Sequence, residues 1–409
     1  MTPPSRARLV SLDGLRGVAA LIVVFHHASL MYQPFAATYL GGDVPVPGSA
    51  AWWLSHSPLK LLTAGPESVI IFFVLSGFVL TLPVLSPRPF DWMAFFPRRI
   101  VRIGVPVVAS LVLAAALALL VPQIPRHGTS AWIQETSVYP VTFQSFVLNL
   151  DPLNIGHFLN NPLWSILWEM VFSMSLAVFV GLAVILKRVW PLALAAVVAV
   201  TAVGMNTTAA SFHYLPAFFV GALAAVLLPR IHRLGERVSS WRLGGILWFT
   251  ALVGALLLLI VTWLTPATLP PALTSALGGL QPVAALIILV CCLEWSPLSR
   301  LLSTRAFRWA GMISFSLYLV HVPIILTSYY LFRSLPLPVV AVLGALIALV
   351  VSVAFYWLVE KRAHGLSKRA GELMARAFAD RDGASAPAAD APEAGTPAAR
   401  GAAERVSAN

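Results

Sequence analysis

Arg16 and His27 stand eleven residues apart in an otherwise apolar stretch. At about 100° per residue, eleven steps bring a helix back to within roughly 20° of its starting direction, so the two side chains share one face, separated by roughly 16 Å along the axis. His26 lies about 80° off that face. Asp13, three residues before Arg16, is placed to neutralise it. An imidazole can take a proton from a hydroxyl near neutral pH. A buried ionisable group in an apolar helix is costly, and function is the first explanation to test. The structural alternative is a hydrogen bond between helices.

Further polar residues interrupt other apolar stretches. Ser165, Glu169 and Ser173 fall at steps of four and form one stripe behind Trp164 and Trp168. Ser314, Tyr318 and His321 make a second stripe, and Ser352, Tyr356 and Glu360 a third. Stripes on several helices imply a shared hydrated cavity. Ser76-Gly77 permits close helix approach. Arg98, Arg99 and Arg102 precede another apolar run; they suit topology alone, and they also suit a phosphate-rich ligand. The two cysteines, Cys291 and Cys292, are adjacent and cannot supply a tetrahedral metal site, so no metal is expected.

The elements that must position these groups follow from composition. Of 409 residues, 59% are hydrophobic and 11% charged, against about 25% charged in soluble domains. A span needs about 20 apolar residues. Ten segments qualify, near 9–32, 66–85, 103–122, 162–186, 189–208, 212–229, 244–264, 278–296, 310–332 and 337–360. The fifth and sixth, split only around Asn206–Ser211, could be one broken helix. Threading ten spans from an inner N-terminus puts 24 of 27 Lys and Arg inside and leaves only Lys60, Arg126 and Arg333 outside. That split predicts an all-α polytopic membrane protein of about ten transmembrane helices with both termini cytoplasmic. The first run reads as a span rather than a cleaved leader, because Asp13 and the histidine pair interrupt it. The net charge of +11 is dispersed between apolar runs, which argues against nucleic acid. Two long loops, about 33–65 and 123–161, fall outside, the second carrying aromatics such as Trp132. Residues 1–362 form one integral-membrane domain. Residues 363–382 read as a basic helix suited to a membrane surface. Residues 383–409 are Ala- and Pro-rich and cannot bury enough surface to fold.

Taken in order, these segments resemble acyltransferase family 3, the integral-membrane O-acyltransferases of surface glycans. The carrying residues are Leu12 to Gly17 with His27, Phe72-Phe73 through Ser76-Gly77-Phe78, Arg98-Arg99 with Arg102, Trp164-Ser165 with Glu169, Phe219-Val220-Gly221, and Ile313 to His321. The likeness covers about residues 9–362. It implies that Arg16 and His27 match the family's basic-residue-x10-His signature. It also implies that Ser76, Glu169, Tyr318 and His321 occupy recurrent positions, and that Arg98, Arg99 and Arg102 lie where the donor's phosphates bind. The implied donor is cytoplasmic acetyl-CoA. The implied acceptor is a hydroxyl of a cell-surface or periplasmic glycan, glycolipid or lipid-linked sugar, reached at the plasma (inner) membrane among membrane lipid. One departure is Lys361-Arg362-Ala363 after Glu360, where relatives often have a proline; this puts the role of Glu360 in doubt.

Acyl transfer from a thioester needs a deprotonated acceptor oxygen and a stabilised oxyanion. His27 is then the first candidate base, or the group that takes up acyl, and His321 the second. Glu169 could orient an imidazole, and Tyr318 or Ser76 could donate hydrogen bonds. Simple threading puts His27 and Glu169 in the outer half and His321 and Ser76 near mid-depth. Rival readings are acylation of a small molecule and a proton-coupled secondary transporter, which also carries buried His, Glu and Arg.

Overall fold

The computed structural model describes residues 6–41, 44–125, 128–138, 140–150, 159–266 and 268–384. Among these residues every regular element is helical. In a bilayer all backbone groups must be satisfied within the segment, and apolar helices meet that demand.

The chain begins with α1 (Arg6–Ser29), then the short α2 (Gln33–Tyr39), α3 (Ala50–His56) and a 3-10 turn at Pro58–Thr63. Next come α4 (Gly65–Val84) and α5 (Trp92–Leu120), followed by the loop helices α6 (Ala131–Thr136) and α7 (Phe143–Leu150). The polar stripe of Ser165, Glu169 and Ser173 lies on α8 (Leu163–Met174), which breaks at Ser175 and bends by 68° into α9 (Leu176–Leu186). At the break the Ser175 hydroxyl donates to the Val171 carbonyl at 2.5 Å, a back-bond of the kind that bends helices.

The fifth and sixth apolar segments are two helices, α10 (Trp190–Thr207) and α11 (Ala210–Val226). Thr208 between them takes a left-handed φ of 56°, and Gly204 packs on the backbone of His213, so the chain folds back on itself. A 73° bend leads into α12 (Leu228–Ser240). There follow α13 (Gly244–Leu259), α14 (Val261–Leu264), α15 (Pro271–Gly278), α16 (Gln281–Glu294), α17 (Ser296–Leu302) and α18 (Arg305–Leu331). Finally α19 (Leu337–Phe355) runs through a π-turn at Tyr356–Glu360 into α20 (Lys361–Ala384). The basic segment expected at 363–382 lies on α20, whose Ala363, Ser367 and Gly371 are buried at steps of four, Gly371 against Arg98 of α5. Residues 385–409 of the expected unfolded tail lie outside the described residues.

Seven helical stretches are long and apolar enough to cross a membrane, and nine if each bent pair counts as one span. The remaining apolar segment is α13, with 16 residues. All ten segments of the sequence therefore fall on helices, and among the described residues seven to nine of them are long and apolar enough to be candidate spans.

Two helix pairs set the frame. The α4–α11 crossing is so close that a Cβ at Gly77 would stand 2.0 Å from the Phe218 carbonyl oxygen, and one at Gly221 would stand 2.1 Å from that of Val74. Small residues let helix backbones approach in this way. On α1, the face carrying Arg16 and His27 packs on α18. These crossings bring the polar stripes of α1, α4, α8 and α18 toward one space.

Candidate active site

A cavity of about 740 Å³ lies among α1, α4, α5, α8, α18 and the π-turn. Five guanidinium groups line it: Arg16 from α1, Arg99 and Arg102 from α5, and Arg305 and Arg308 from α18. Three carboxylates line it too. Asp13 pairs with Arg16 at 3.6 Å. Glu169 pairs with Arg99 and also accepts from the Ser76 hydroxyl at 2.7 Å. Glu360 accepts from the Ser316 hydroxyl at 2.5 Å and faces His364 at 3.7 Å. Arg102, Arg305 and Arg308 make no ion pair among the described residues, so the cavity carries surplus positive charge. Such guanidinium groups bind phosphate oxygens through charge-assisted hydrogen bonds.

Tyr318 and Ser165 line the same cavity, their hydroxyl oxygens 2.6 Å apart. Just beyond Tyr318 lies a pair of imidazoles. The His27 and His321 rings are 4.9 Å apart, and His27 Nδ1 is 3.1 Å from His321 Nε2. Hydrogen bonding fixes which nitrogens carry protons. His321 Nδ1 faces the carbonyl oxygens of Leu317 and Tyr318 at 3.1 and 2.8 Å, so it must donate. His27 Nδ1 faces the Val23 carbonyl at 2.9 Å, so it donates as well. His321 Nε2 is then the acceptor for the second branch of the His27 N–H. This leaves the lone pair of His27 on Nε2, the nitrogen free to act as a base. His321 is fully buried, whereas His27 is partly exposed beside Trp132, with ring centroids 5.7 Å apart.

Residues 9–357 match the family described as the acyltransferase domain. The chain belongs to acyltransferase family 3. It is an O-acyltransferase. Acyltransferase MdmB of Streptomyces mycarofaciens is 29% identical over 341 residues, covering 79% of this chain and 80% of that protein. O-acetyltransferase PaAT-1 of Phomopsis amygdali is 28% identical over 382 residues, covering 77% of this chain and 72% of that protein. No solved structure matches.

Within this family member the residues singled out from sequence fall into three groups. Arg16, Ser76, Arg99, Arg102, Glu169 and Tyr318 meet in the cavity. His27 and His321 form the adjoining pair. Arg98 sits apart, exposed and flanked by Gly371 of α20, so it does not line the cavity with its two neighbours. Glu169 requires a correction. It does not orient an imidazole: its partners are Arg99 and Ser76. The expected straight span over 162–186 is bent: α8 ends five residues after Glu169 and the chain then turns by 68°. His26, adjacent to the reactive candidate, has a packing role. Its Nδ1 meets the Thr63 carbonyl at 2.7 Å, and its ring occupies the space a Cβ at Gly65 would need.

Arg305 and Arg308 were missed as site residues, although a signal existed. Positions 305, 308, 312, 315 and 318 repeat at helical spacing and all line the cavity. Trp132 falls in the second long loop of the sequence. It is buried, 4% exposed, beside His27.

Proposed function

We propose that this O-acyltransferase moves an acetyl group from acetyl-CoA to a hydroxyl of a cell-surface or periplasmic glycan or glycolipid, at the plasma (inner) membrane with both termini cytoplasmic. The observation that carries the reading is the single cavity in which three guanidinium groups without carboxylate partners, Arg102, Arg305 and Arg308, share space with Tyr318, one helical turn from the His27–His321 pair. CoA is rich in phosphate, and the guanidinium groups supply its counter-charges. The Phomopsis relative is named an O-acetyltransferase, which supports acetyl as the group moved.

In this mechanism His27 Nε2 takes the proton from the acceptor hydroxyl as that oxygen attacks the thioester carbonyl. The Tyr318 and Ser165 hydroxyls donate to the developing oxyanion. The intermediate collapses with loss of the C–S bond, and the departing thiolate takes the proton from His27. The products are an acetyl ester and free CoA. His321 keeps the His27 Nδ1–H in place and so keeps the basic nitrogen pointed away from it.

The full chain in lipid nanodiscs, titrated with CoA and with 3′-dephospho-CoA, tests the donor site. Arg305→Gln combined with Arg308→Gln should weaken CoA binding about tenfold or more, since charge-assisted hydrogen bonds contribute about 1.5–3 kcal/mol each. His27→Ala should keep CoA affinity and lose transfer. Unchanged CoA affinity in the first variant, or near-normal turnover in the second, would remove the corresponding assignment. Mass analysis of cells with and without the protein identifies the acceptor: acetyl mass gained on a small molecule and not on glycan or glycolipid would replace the glycan reading.

A further inference from the structure

A second, smaller cavity of about 300 Å³ lies at the N-terminal end of α4, the end at which Gly65 packs on His26. Its lining includes Glu67, His213, Tyr214, Thr262, Trp263 and Gln281. Two polar atoms here have no hydrogen-bond partner: Oε2 of Glu67 and Nε2 of His213. Glu67 is only 3% exposed. Leaving a buried polar atom unpaired costs free energy, so two of them on one cavity are a sign of a missing ligand rather than of packing.

A positive charge already stands near Glu67. Its Oε1 accepts from the Trp263 indole N–H at 2.7 Å, and the Lys60 Nζ lies 4.1 Å from the centroid of that same ring. Lys60 is fully buried and donates to the Thr63 carbonyl at 3.0 Å. Burial pushes its ammonium down from the usual lysine range, and Glu67 opposes that push. Lys60 is not on the cavity wall, yet its positive charge would repel a cationic ligand bound beside Glu67. A neutral ligand bearing hydroxyl groups would donate to the open Glu67 oxygen and, because a hydroxyl both donates and accepts, would pair with His213 Nε2 in either tautomer. The aromatic surfaces of Trp263 and Tyr214 suit the C–H faces of a ring. The volume sits at the lower end of ligand pockets, roughly 300–1,000 Å³, which fits one ring and not a chain of them.

We infer that this cavity is a seat for a single neutral, hydroxyl-rich ring, with Glu67 accepting one hydroxyl proton, His213 Nε2 paired to a second hydroxyl, and Trp263 and Tyr214 packing on its faces. The inference deepens the acyl-transfer reading and rests on it in one respect: the ring is taken as the non-reacting part of the acceptor. The two sites are neighbours across a layer of packed side chains. Tyr39 stacks parallel on Trp263 at 6.3 Å and stands 4.7 Å from the His26 ring, which touches His27 at 5.1 Å. On the other side Tyr214 contacts Phe73, a wall of the large cavity, at 5.8 Å.

The test uses the full chain in nanodiscs and saturation-transfer NMR with the methyl glycosides of glucose, galactose, mannose and rhamnose as probes, and glucosamine as the cationic comparison. At least one methyl glycoside should receive magnetisation. Its affinity should fall about tenfold in Glu67→Gln and in His213→Phe, the loss of one buried hydrogen bond. Thr262→Trp, which fills the cavity, should abolish the signal. All three variants should bind CoA as the parent does, which shows that they are folded. The inference is overturned if no glycoside binds, if binding survives Thr262→Trp, or if only glucosamine binds. Failure of CoA binding in the parent protein would sink the acyl-donor reading and leave the ring seat to be judged on the glycoside data.

Discussion

Replacing Glu169 by Gln removes one carboxylate from the junction of α4, α5 and α8. In the parent, Glu169 Oε1 accepts from Ser76 at 2.7 Å and from Arg99, while the Arg99 Nε–H donates to Ser173 at 3.1 Å and the Ser173 hydroxyl returns to the Glu169 carbonyl at 2.7 Å. The side chains of Arg99 and Glu169 are 12% and 20% exposed. Breaking a fully buried pair costs about 3–5 kcal/mol, and an exposed pair contributes about 0–1; this pair belongs between them, at about 2 kcal/mol. Glu169→Gln should therefore destabilise the chain by about that amount, and Arg99→Gln in the same background should add less than it does alone. The assay is a double-mutant cycle on reversible unfolding in detergent, with CoA affinity measured in parallel. A coupling near 2 kcal/mol supports a carboxylate whose work is to hold Arg99 at the cavity wall. Additivity within about 0.5 kcal/mol would refute the pairing. Loss of turnover in Glu169→Gln at unchanged stability would return the carboxylate to the reacting centre.

His321→Phe should leave CoA affinity unchanged and reduce kcat by roughly 10²-fold, the scale of a misdirected general base, whereas His321→Gln, which retains an acceptor, should lose less; equal kcat in both, by steady-state kinetics, would remove His321 from the relay. Tyr318→Phe should lower kcat more than KM, because its hydroxyl is assigned to a charge that develops only in the transition state; a rise in KM alone would make it a binding group. Gly77→Ala should give a chain that aggregates at lower temperature on heated size-exclusion chromatography, since its Cβ at 2.0 Å from the Phe218 oxygen forces α4 and α11 apart by more than 1 Å; an unchanged profile would show that the crossing is loose.

How much of this was readable beforehand depends on whether a feature is fixed by helical phase or by how helices meet. The alignment of Arg16 with His27 needed only the helical repeat, and both face α18 as the repeat requires. The same holds for Ser165, Glu169 and Ser173, which all turn inward. Their partners could not be read, because a partner is decided by depth and crossing angle. Glu169 meets Arg99 and Ser76 and not an imidazole because α8 packs there against α5 and α4. The His27–His321 contact joins residues 294 apart in sequence, with no local signal beyond each lying on a polar stripe.

Arg305 and Arg308 show a different kind of blindness. Both were counted toward topology, where basic residues at an inner helix start are fully explained by orientation. The same guanidinium groups can satisfy orientation and bind a phosphate ligand, so the first explanation hid the second. The distinguishing fact is three-dimensional: among the described residues neither has a carboxylate partner, and both line the cavity that holds Tyr318. Glu67 is a parallel case. A carboxylate in the first turn of a helix is explained well enough by the helix dipole, and nothing in the sequence separates it from any other helix start. Burial to 3% with one oxygen unpaired does separate it, because the dipole explains a charge near a helix end but not an acceptor sealed away from water without a donor. In both cases the informative observation is an interaction left unmade. That can be read only after the neighbours are in place, which is why the acyl-donor cavity and the ring seat emerge from coordinates while the stripes that line them emerge from spacing.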